Sequence, residues 1–322
     1  MNYLKGKKIL ITGGTGSFGR HIVKKLIPVR PESITVFSRD EEKQHLMENE
    51  FEEHADILKF KIGDVRDYER VLEATRGVDI IFHAAAIKQV PRCEYNPMEA
   101  VKTNVIGAYN VKSAAIKNGV ERVIAISTDK AVKPVNVMGM TKAIQERLII
   151  SDNSDKGSTK FTCVRYGNVL GSRGSLIPLV KKRIEEGKDI PITHPQMTRF
   201  LLSLDDGVEL VLKATQSEDG NIVVKKAPAC RIEDLVMVMK ENLDKENRCK
   251  IKYIGPRAGE KMHEVLVSED EMNRMEEKDE YFTIYPYVRT SEVRNLKEYT
   301  SENTEKLNKD QIKQLLQRTG WL

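Results

Sequence analysis

The fold is decided by the stretch KILITGGTGSFG, residues 8–19. Residues 8–12 form a short apolar run that predicts a buried strand, and glycines at 13, 16 and 19 follow it at the start of a helical segment. A glycine-rich turn between a strand and a helix lets the backbone approach a pyrophosphate, whose charge is stabilised by the N–H groups and dipole of the helix N-terminus. Glycine-rich turns also occur for steric reasons alone, but the flanking strand and helix favour a dinucleotide site.

Short β-branched runs alternate with longer helical stretches through the first half of the chain, which indicates βαβ units and a parallel sheet. The fold class is therefore predicted to be α/β, a doubly wound parallel sheet with a smaller C-terminal substrate lobe. We expect a dinucleotide-binding domain over residues 1–168, and a lobe and C-terminal wrap over 169–322. Strands are predicted at 8–12, 33–38, 57–62, 78–84, 122–127, 161–166 and, rejoining the first sheet, 221–225. Helices are predicted at 19–27, 41–54, 67–76, 97–118, 138–150 and 311–316.

Composition argues against several classes of protein. The 322 residues are 40% hydrophobic and carry a net charge of +5, and the basic run 181–183 is followed at once by two glutamates. This pattern is typical of a solvated helix face, so no nucleic-acid partner is expected. No apolar run approaches the roughly 20 residues of a membrane helix, and the cysteines show no C-x-x-C spacing. We expect a cytoplasmic protein with no metal site and no membrane contact.

Residues at the ends of the first four strands are the candidate cofactor ligands. At the end of the second strand, Ser38 takes the place of the acidic residue that binds the free ribose hydroxyl of NAD, and Arg39 follows it. A hydroxyl and a guanidinium suit a phosphate, which favours NADP over NAD, although Arg39 could be an ordinary surface arginine. The other candidates are Gly13, Thr15, Gly16, Ser17, Phe18 and Gly19 in the turn, Asp64 and Val65 beside the adenine, and Ala84, Ala85 and Ala86 along the cofactor backbone.

The candidate catalytic residues follow the fifth strand, at the carboxyl edge where open α/β sheets place their chemistry. Thr128, Asp129 and Lys130 come first, and Lys142 lies twelve residues beyond Lys130. Asp129 and Lys130 are an acid and a base candidate on a rigid edge. In the alternative interpretation, Asp129 caps the next turn and Lys130 pairs with it.

These residues resemble the short-chain dehydrogenase/reductase pattern, a Ser/Thr at the strand end and a Tyr-x-x-x-Lys in the next helix, with Met138 in place of the tyrosine. Over most of the chain, the sequence resembles the UDP-N-acetylglucosamine 4,6-dehydratases of polysaccharide biosynthesis, an extended branch of that superfamily. Some members of the family share the methionine. The runs that carry the resemblance are 82–91, 127–131, 165–169, 172–175, 197–200 and 255–261.

The resemblance implies that NADP removes a hydride from sugar C4, that water is lost across C5 and C6, and that the hydride returns to C6. It assigns Asp129 as the acid, Lys130 as the base and Lys142 as the holder of the nicotinamide ribose. It places Tyr166 and Asn168 beside the cofactor. The implied ligands of a UDP-N-acetylhexosamine are Lys88 and Asn168 at the sugar and diphosphate, and Arg199, Arg257 and Glu260 at the nucleotide end.

The residues leave open what replaces the tyrosine, how the acid and base are protonated and which reaction is catalysed. Met138 cannot accept the proton of the C4 hydroxyl, so Lys130, Thr128 or an ordered water would replace the tyrosine. Asp129 would have to hold a proton and Lys130 to lose one; burial favours both, whereas a direct ion pair opposes them. A UDP-hexose 4-epimerase and a non-catalytic NADP-binding relative are the alternatives. By analogy, a homo-oligomer that pairs through the helix 138–150 is expected.

Overall fold

A computed structural model of the protein describes residues 1–151, 157–172, 174–286 and 296–322. Arg173, which belongs to one of the runs that carry the resemblance, lies outside the described residues. The strands are β1 (Lys8–Thr12), β2 (Ser33–Ser38), β3 (Leu58–Ile62), β4 (Ile80–His83), β5 (Arg122–Ile126), β6 (Lys160–Arg165), β7 (Asn168–Val169), β8 (Ile190–Ile192), β9 (Thr198–Leu202), β10 (Ile222–Lys225), β11 (Ala229–Arg231), β12 (Ile251–Tyr253), β13 (Val265–Val267), β14 (Met275–Lys278), β15 (Tyr281–Ile284) and β16 (Tyr299–Thr300). The helices are α1 (Ser17–Leu26), α2 (Glu41–Glu50), α3 (Tyr68–Ala74), α4 (Val90–Tyr95), α5 (Pro97–Ala100), α6 (Gly107–Lys117), α7 (Val137–Ile150), α8 (Leu176–Glu185), α9 (Leu204–Ala214), α10 (Ile232–Leu243), α11 (Glu269–Met272) and α12 (Lys309–Arg318).

One large sheet carries the fold, in the strand order β14-β15-β10-β6-β5-β4-β1-β2-β3. The pairs from β10 through β6, β5, β4, β1 and β2 to β3 are all parallel. The prediction of an α/β, doubly wound parallel sheet is confirmed. The antiparallel hairpin β14–β15, which extends the sheet beyond β10, was not predicted. Its outer strand reads MEEK and is largely exposed, so it lacks the apolar pattern that marks the other strands.

The parallel strands are apolar because helices cover both faces of the sheet. Every residue of β2 is buried, as are all but the first of β1 and of β6. A second apolar cluster is built from residues between Leu170 and Leu322 and includes side chains of α8, α10 and α12. This part of the chain therefore has a core of its own. The division at residues 168 and 169 stays a prediction.

The prediction of one continuous helix at residues 97–118 is wrong over residues 101–106. The structure has α5, then a π-helical segment, Val101–Ile106, and then α6. In the π-helical segment, the Asn104 amide donates to Ile87 O and to Thr141 Oγ1, at 3.0 Å each, and accepts from Ile87 N at 2.8 Å. These bonds fix the loop after β4 and stabilise a wide turn that apolar periodicity cannot reveal.

Candidate active site

A cavity of about 200 Å³ lies at the carboxyl edge of β1, β2 and β3. It gathers eight of the predicted cofactor residues: Gly13, Thr15, Ser38, Arg39, Asp64, Val65, Ala85 and Ala86. Its wall also contains Phe37, Asp40, Lys43, Gly63 and Thr103, which the sequence analysis missed. The spacing of charges in α2 gave no reason to select Lys43, and Thr103 reaches the cavity from the unpredicted π-helical segment.

The glycine turn has the shape that a pyrophosphate requires. Gly13 has a φ of +67°, and a Cβ built on it would lie 2.8 Å from the Cα and N of Ala85. Gly16, the N-cap of α1, has no side chain that could cap the helix, whose first turn contains Ser17, Phe18 and Gly19. A side chain at Gly19 would overlap the Gly14 carbonyl. The residues present therefore fit a dinucleotide whose phosphates approach the backbone.

Replacing Gly13 with alanine is expected to weaken NADP binding at least tenfold. The new methyl group would face strain at positive φ, of about 1–2 kcal/mol, and would press on the backbone of Ala85. Gly77→Ala is the matched control, because Gly77 has a φ of +66° with nothing within 4 Å. Calorimetric titration with NADP and thermal unfolding should show a stability loss in both variants but weaker binding in Gly13→Ala alone. Equal binding by the two variants would contradict the close approach at Gly13.

The end of β2 presents Ser38 and Arg39 to the cavity. Ser38 is buried, and its hydroxyl and carbonyl accept hydrogen bonds from Gln44 Nε2 at 3.1 and 2.9 Å. Arg39 is about half exposed, with Nη1 3.5 Å from Asp64 Oδ2. Burial acts to raise the pKa of Asp64, but hydrogen bonds from Arg66 and the charge of Arg39 lower it. The lowered pKa of Asp64 makes it an anionic partner for these arginines, and Arg39 and Lys43 are the cations in the cavity wall.

The predicted acid and base lie together in a short 3₁₀ turn, Asp129–Ala131, after β5. Asp129 is fully buried, and its Oδ1 accepts from Thr128 Oγ1 at 2.8 Å and from Lys130 Nζ at 3.1 Å. Lys130 Nζ also donates to Asn168 Oδ1 at 3.2 Å. Asp129 Oδ2 has no hydrogen-bond partner among the described residues.

The protonation states differ in part from those that the proposed roles need. Burial raises the pKa of Asp129, and the nearby Lys130 offsets this only partly. For Lys130, burial acts to lower the pKa, but the charges of Asp129 and Glu264 outweigh it and the pKa is raised. The ion pair that the sequence analysis named as an opposing influence is therefore present. The raised pKa of Asp129 is in the direction that an acid needs, whereas the raised pKa of Lys130 opposes the loss of a proton that a base needs.

Glu264 is the part of this site that the sequence analysis missed. It lies just before β13 and is 2% exposed, with Oε1 3.2 Å from Lys130 Nζ and 3.7 Å from Arg199 Nε. Its Oε2 is 3.8 Å from Lys261 Nζ. No local pattern marks Glu264, because two of its three partners, Arg199 and Lys130, come from β9 and from the turn after β5. Only the fold brings these residues together.

The predicted substrate residues divide into two groups. Arg199 is buried beside the acid–base pair, with Nη2 3.6 Å from Glu260 Oε1, and Asn168 bonds to Lys130 directly. Lys88 is exposed in the loop after β4, and Arg257 is exposed in a turn where its backbone N–H donates to Glu260 at 3.2 Å. The structure joins the first group to the catalytic turn and leaves the side chains of Lys88 and Arg257 at the surface.

Met138 and Lys142 lie on α7, which begins after the catalytic turn. Met138 is buried against Cys93 and Ala100, as an apolar side chain would be. Lys142 Nζ donates to Ile126 O at 2.7 Å and to Gln145 Oε1 at 2.9 Å. Burial lowers the pKa of Lys142 to about 8.

Two further buried residues lie at the strand ends, and Tyr166 is one of the predicted cofactor residues. His83 is fully buried and shares a 2.8 Å hydrogen bond with Thr12 Oγ1, and burial lowers its pKa to about 3. Tyr166 is buried, and its carbonyl accepts from Asp129 N at 3.1 Å. Among the described residues, no group of three or more His, Cys, Asp or Glu side chains could hold a metal ion.

The sheet order and the glycine turn define a doubly wound, Rossmann-like α/β fold, which similar solved structures share. The chain belongs to the family described as polysaccharide biosynthesis protein, whose model matches residues 9–286. Among similar structures is that of Pen from Bacillus thuringiensis, with a TM-score of 0.95 and 37% identity over 99% of each chain. The dTDP-glucose 4,6-dehydratase DesIV from Streptomyces venezuelae has a TM-score of 0.71 at 22% identity, over 79% of this chain and 86% of that one.

Two curated relatives are similar over nearly their whole length. An uncharacterized membrane protein of Methanocaldococcus jannaschii is 47% identical over 100% of this chain and 98% of its own. A UDP-glucose 4-epimerase of Rickettsia akari is 46% identical over 96% of this chain and 95% of its own. In the described ranges of the present chain, each helix is too short or too polar to span a lipid bilayer.

Proposed function

We propose that the protein is an NADP-dependent lyase that removes water across C5 and C6 of UDP-N-acetylglucosamine and leaves a 4-keto-6-deoxy sugar. One observation carries the proposal: Asp129 is a buried carboxyl with a raised pKa, whose Oδ1 accepts two hydrogen bonds and whose Oδ2 accepts none among the described residues. A proton on Asp129 would lie on Oδ2, which contacts no hydrogen-bond partner among the described residues, and would be donated from there. A departing hydroxyl needs such an acid.

The comparisons support the class of substrate. The relative from Rickettsia akari is named as an enzyme of UDP-glucose, and DesIV is named as a dTDP-glucose 4,6-dehydratase and was solved with NAD bound. Both names describe enzymes of nucleotide sugars. The cavity between the glycine turn and Arg39 is where a nicotinamide dinucleotide would be held in this chain.

A bound nicotinamide would supply the redox chemistry, which is hydride removal at C4 and hydride return at C6. We assign Thr128 the hydrogen bond to the C4 hydroxyl, whose proton leaves to solvent through ordered water. Lys130 releases one proton to solvent and then takes the proton of C5, while Asn168 and Glu264 hold its amine in place. After hydride return at C6, C5 takes a proton from ordered water. Asp129 donates its proton to the hydroxyl of C6, which leaves as water, and is protonated again from solvent. Lys142 stays assigned to the nicotinamide ribose.

Incubation with UDP-N-acetylglucosamine and NADP, followed by mass spectrometry, tests the proposal. Dehydration lowers the mass of the nucleotide sugar by one water without consuming the cofactor. Recovery of only unchanged UDP-N-acetylglucosamine after incubation would contradict it.

A UDP-hexose 4-epimerase is the second candidate, and the name of the relative from Rickettsia akari favours it. An epimerase oxidises and reduces C4 without expelling a hydroxyl, so it has no use for a protonated Asp129. Its product has the mass of the substrate and is recognised by chromatography as the C4 epimer. The Asp129→Asn variant also separates the two, because only dehydration depends on a proton at this position.

Replacing Arg39 with alanine is expected to weaken NADP binding by about 10- to 100-fold and to leave NAD binding unchanged. The reason is the loss of one charged hydrogen bond to the 2′-phosphate, which contributes about 1.5–3 kcal/mol. Arg30→Ala is the control, since Arg30 is an exposed arginine paired with Asp56 away from the cavity. Competitive binding of NADP and NAD measures the ratio of the two affinities. An unchanged ratio in Arg39→Ala would remove Arg39 from cofactor selection.

Homo-oligomerisation through α7 also stays a proposal. This helix exposes Met140 and Ile144, each 48% accessible, on a surface that a second copy could cover. Light scattering coupled to size exclusion measures the assembly, and a monomer at micromolar concentration would contradict the expectation.

A further inference from the structure

Two buried carboxyl groups share the ammonium of Lys130. Asp129 Oδ1 lies 3.1 Å from Lys130 Nζ, and Glu264 Oε1 lies 3.2 Å from the same atom. Neither carboxyl is open to solvent, since Asp129 is fully buried and Glu264 is 2% exposed. When two carboxyl groups share one site, ionisation of one opposes ionisation of the other, so their pKa values separate.

The charges around each group decide which of them keeps the proton. Glu264 is faced by Lys130, by Arg199 from β9 and by Lys261 from its own segment. Burial acts to raise the pKa of Glu264, but these three cations lower it. Of these three cations, only Lys130 forms an ion pair with Asp129, and burial raises the pKa of Asp129. Glu264 is therefore the ionised partner.

A dedicated set of contacts brings Glu264 to this position. Asn136 Nδ2 donates to Gly259 O at 2.8 Å, and Lys261 Nζ donates to Val132 O at 2.5 Å. Glu264 N donates to Ser301 Oγ at 2.9 Å. The segment 259–264 is thus fixed onto the chain that follows the catalytic turn. The remaining acidic group nearby, Glu260, contacts Arg199 at 3.6 Å.

We propose that Glu264 is a positioning residue that serves as the counter-charge of Lys130 and thereby keeps Asp129 protonated. Without this negative charge, Asp129 would be the nearest anion available to Lys130 and would ionise. An ionised Asp129 has no proton to give to a departing hydroxyl. The catalytic consequence rests on the proposed function, whereas the protonation of Asp129 can be measured without any sugar.

Glu264→Gln tests the proposal, because glutamine keeps the size of the side chain and an oxygen for Lys130. The new amide nitrogen replaces Oε2, which accepts no hydrogen bond from the described residues. Infrared difference spectra between each protein and its Asp129→Asn counterpart isolate the C=O stretch of protonated Asp129. We expect this band in the wild-type protein at neutral pH and not in Glu264→Gln. It should return in Glu264→Gln on acidification, because the variant lowers the pKa of Asp129.

Turnover provides the second readout. Loss of the acid should lower kcat of Glu264→Gln at neutral pH by roughly 100-fold, with KM little changed, and a lower pH should restore it. Glu264→Asp keeps the charge and should keep the infrared band. Glu269→Gln is the control, since Glu269 is an exposed partner of Lys133.

The outcomes separate the two proposals. Persistence of the Asp129 band in Glu264→Gln at neutral pH would overturn the role of Glu264, whatever the enzyme makes. If the band vanishes as expected but the wild-type protein yields no dehydrated sugar, the counter-charge stands and the dehydratase assignment fails. Thermal unfolding shows whether Glu264→Gln folds. If it does not, the test is the infrared band of protonated Asp129 in the wild-type protein and in Glu264→Asp. Absence of the band from both proteins would overturn the proposal.

Discussion

Lys130→Ala is expected to reduce dehydration at least 100-fold while leaving NADP bound. Lys130 is the proposed base at C5, and loss of a positioned base typically costs 10²- to 10⁴-fold in rate. Its Nζ contacts Asp129, Asn168 and Glu264, but the glycine turn and Arg39 that would hold the dinucleotide are on other elements. Turnover of UDP-N-acetylglucosamine and fluorescence titration with NADPH measure the two properties separately.

Lys133→Ala is the matched control for this experiment. Lys133 lies three residues further along the same segment, is about half exposed, and pairs with Glu269 and Glu298 at the surface. It should keep nearly full activity. Turnover by Lys130→Ala at the wild-type rate would remove Lys130 from the mechanism.

Arg165→Leu is expected to lower the free energy of unfolding by about 3–5 kcal/mol, because it leaves buried carboxylates without their cation. Arg165 is 2% exposed, and its guanidinium donates to Glu146 on α7, to Glu271 on α11 and to Leu266 O. These bonds join β6 and α7 to the C-terminal part of the chain. Arg231→Leu is the control, since its pair with Asp234 is exposed and worth less than about 1 kcal/mol.

The loss of unfolding free energy in Arg165→Leu should be larger at neutral pH than at acid pH. Burial acts to raise the pKa of Glu271, but Arg165 lowers it below its ordinary value in the wild-type protein. The pair therefore contributes stability above the unfolded pKa of a glutamate, and this contribution is lost as the pH falls through the folded pKa. Urea unfolding of the wild-type protein and of Arg165→Leu at both pH values measures this difference in unfolding free energy. A difference that does not change with pH would contradict the ionic origin of the loss.

Much of the fold could be predicted because its signals are local. Strands β1 and β2 match their predicted bounds, since each is a short run rich in β-branched residues and is buried almost throughout. The glycine turn was predictable because the positive φ of Gly13 and its approach to Ala85 leave no room for a side chain. The hairpin β14–β15 and the π-helical segment carry no such pattern, so the sequence did not reveal them.

In the candidate site too, features with a local sequence signal could be predicted, and features set by tertiary contacts could not. Asp129 and Lys130 could be predicted from their place at a strand end, and their ion pair was considered as an alternative. The effect of Asp129 on the pKa of Lys130 was named as a possibility, but the contribution of Glu264 was not foreseen, because Glu264 is distant in the sequence. Contacts between side chains that only the tertiary fold brings together set these charges. A single sequence does not display them.

The most direct measurement follows a deuterium label from C4 of UDP-N-acetylglucosamine. The proposed dehydration moves the label to C6 of a product that has lost one water, because the same hydride is removed and returned within one turnover. Proton and deuterium NMR of the purified product locate the label. Label that stays on C4 of a sugar with unchanged mass would show epimerisation and would contradict the proposed dehydration.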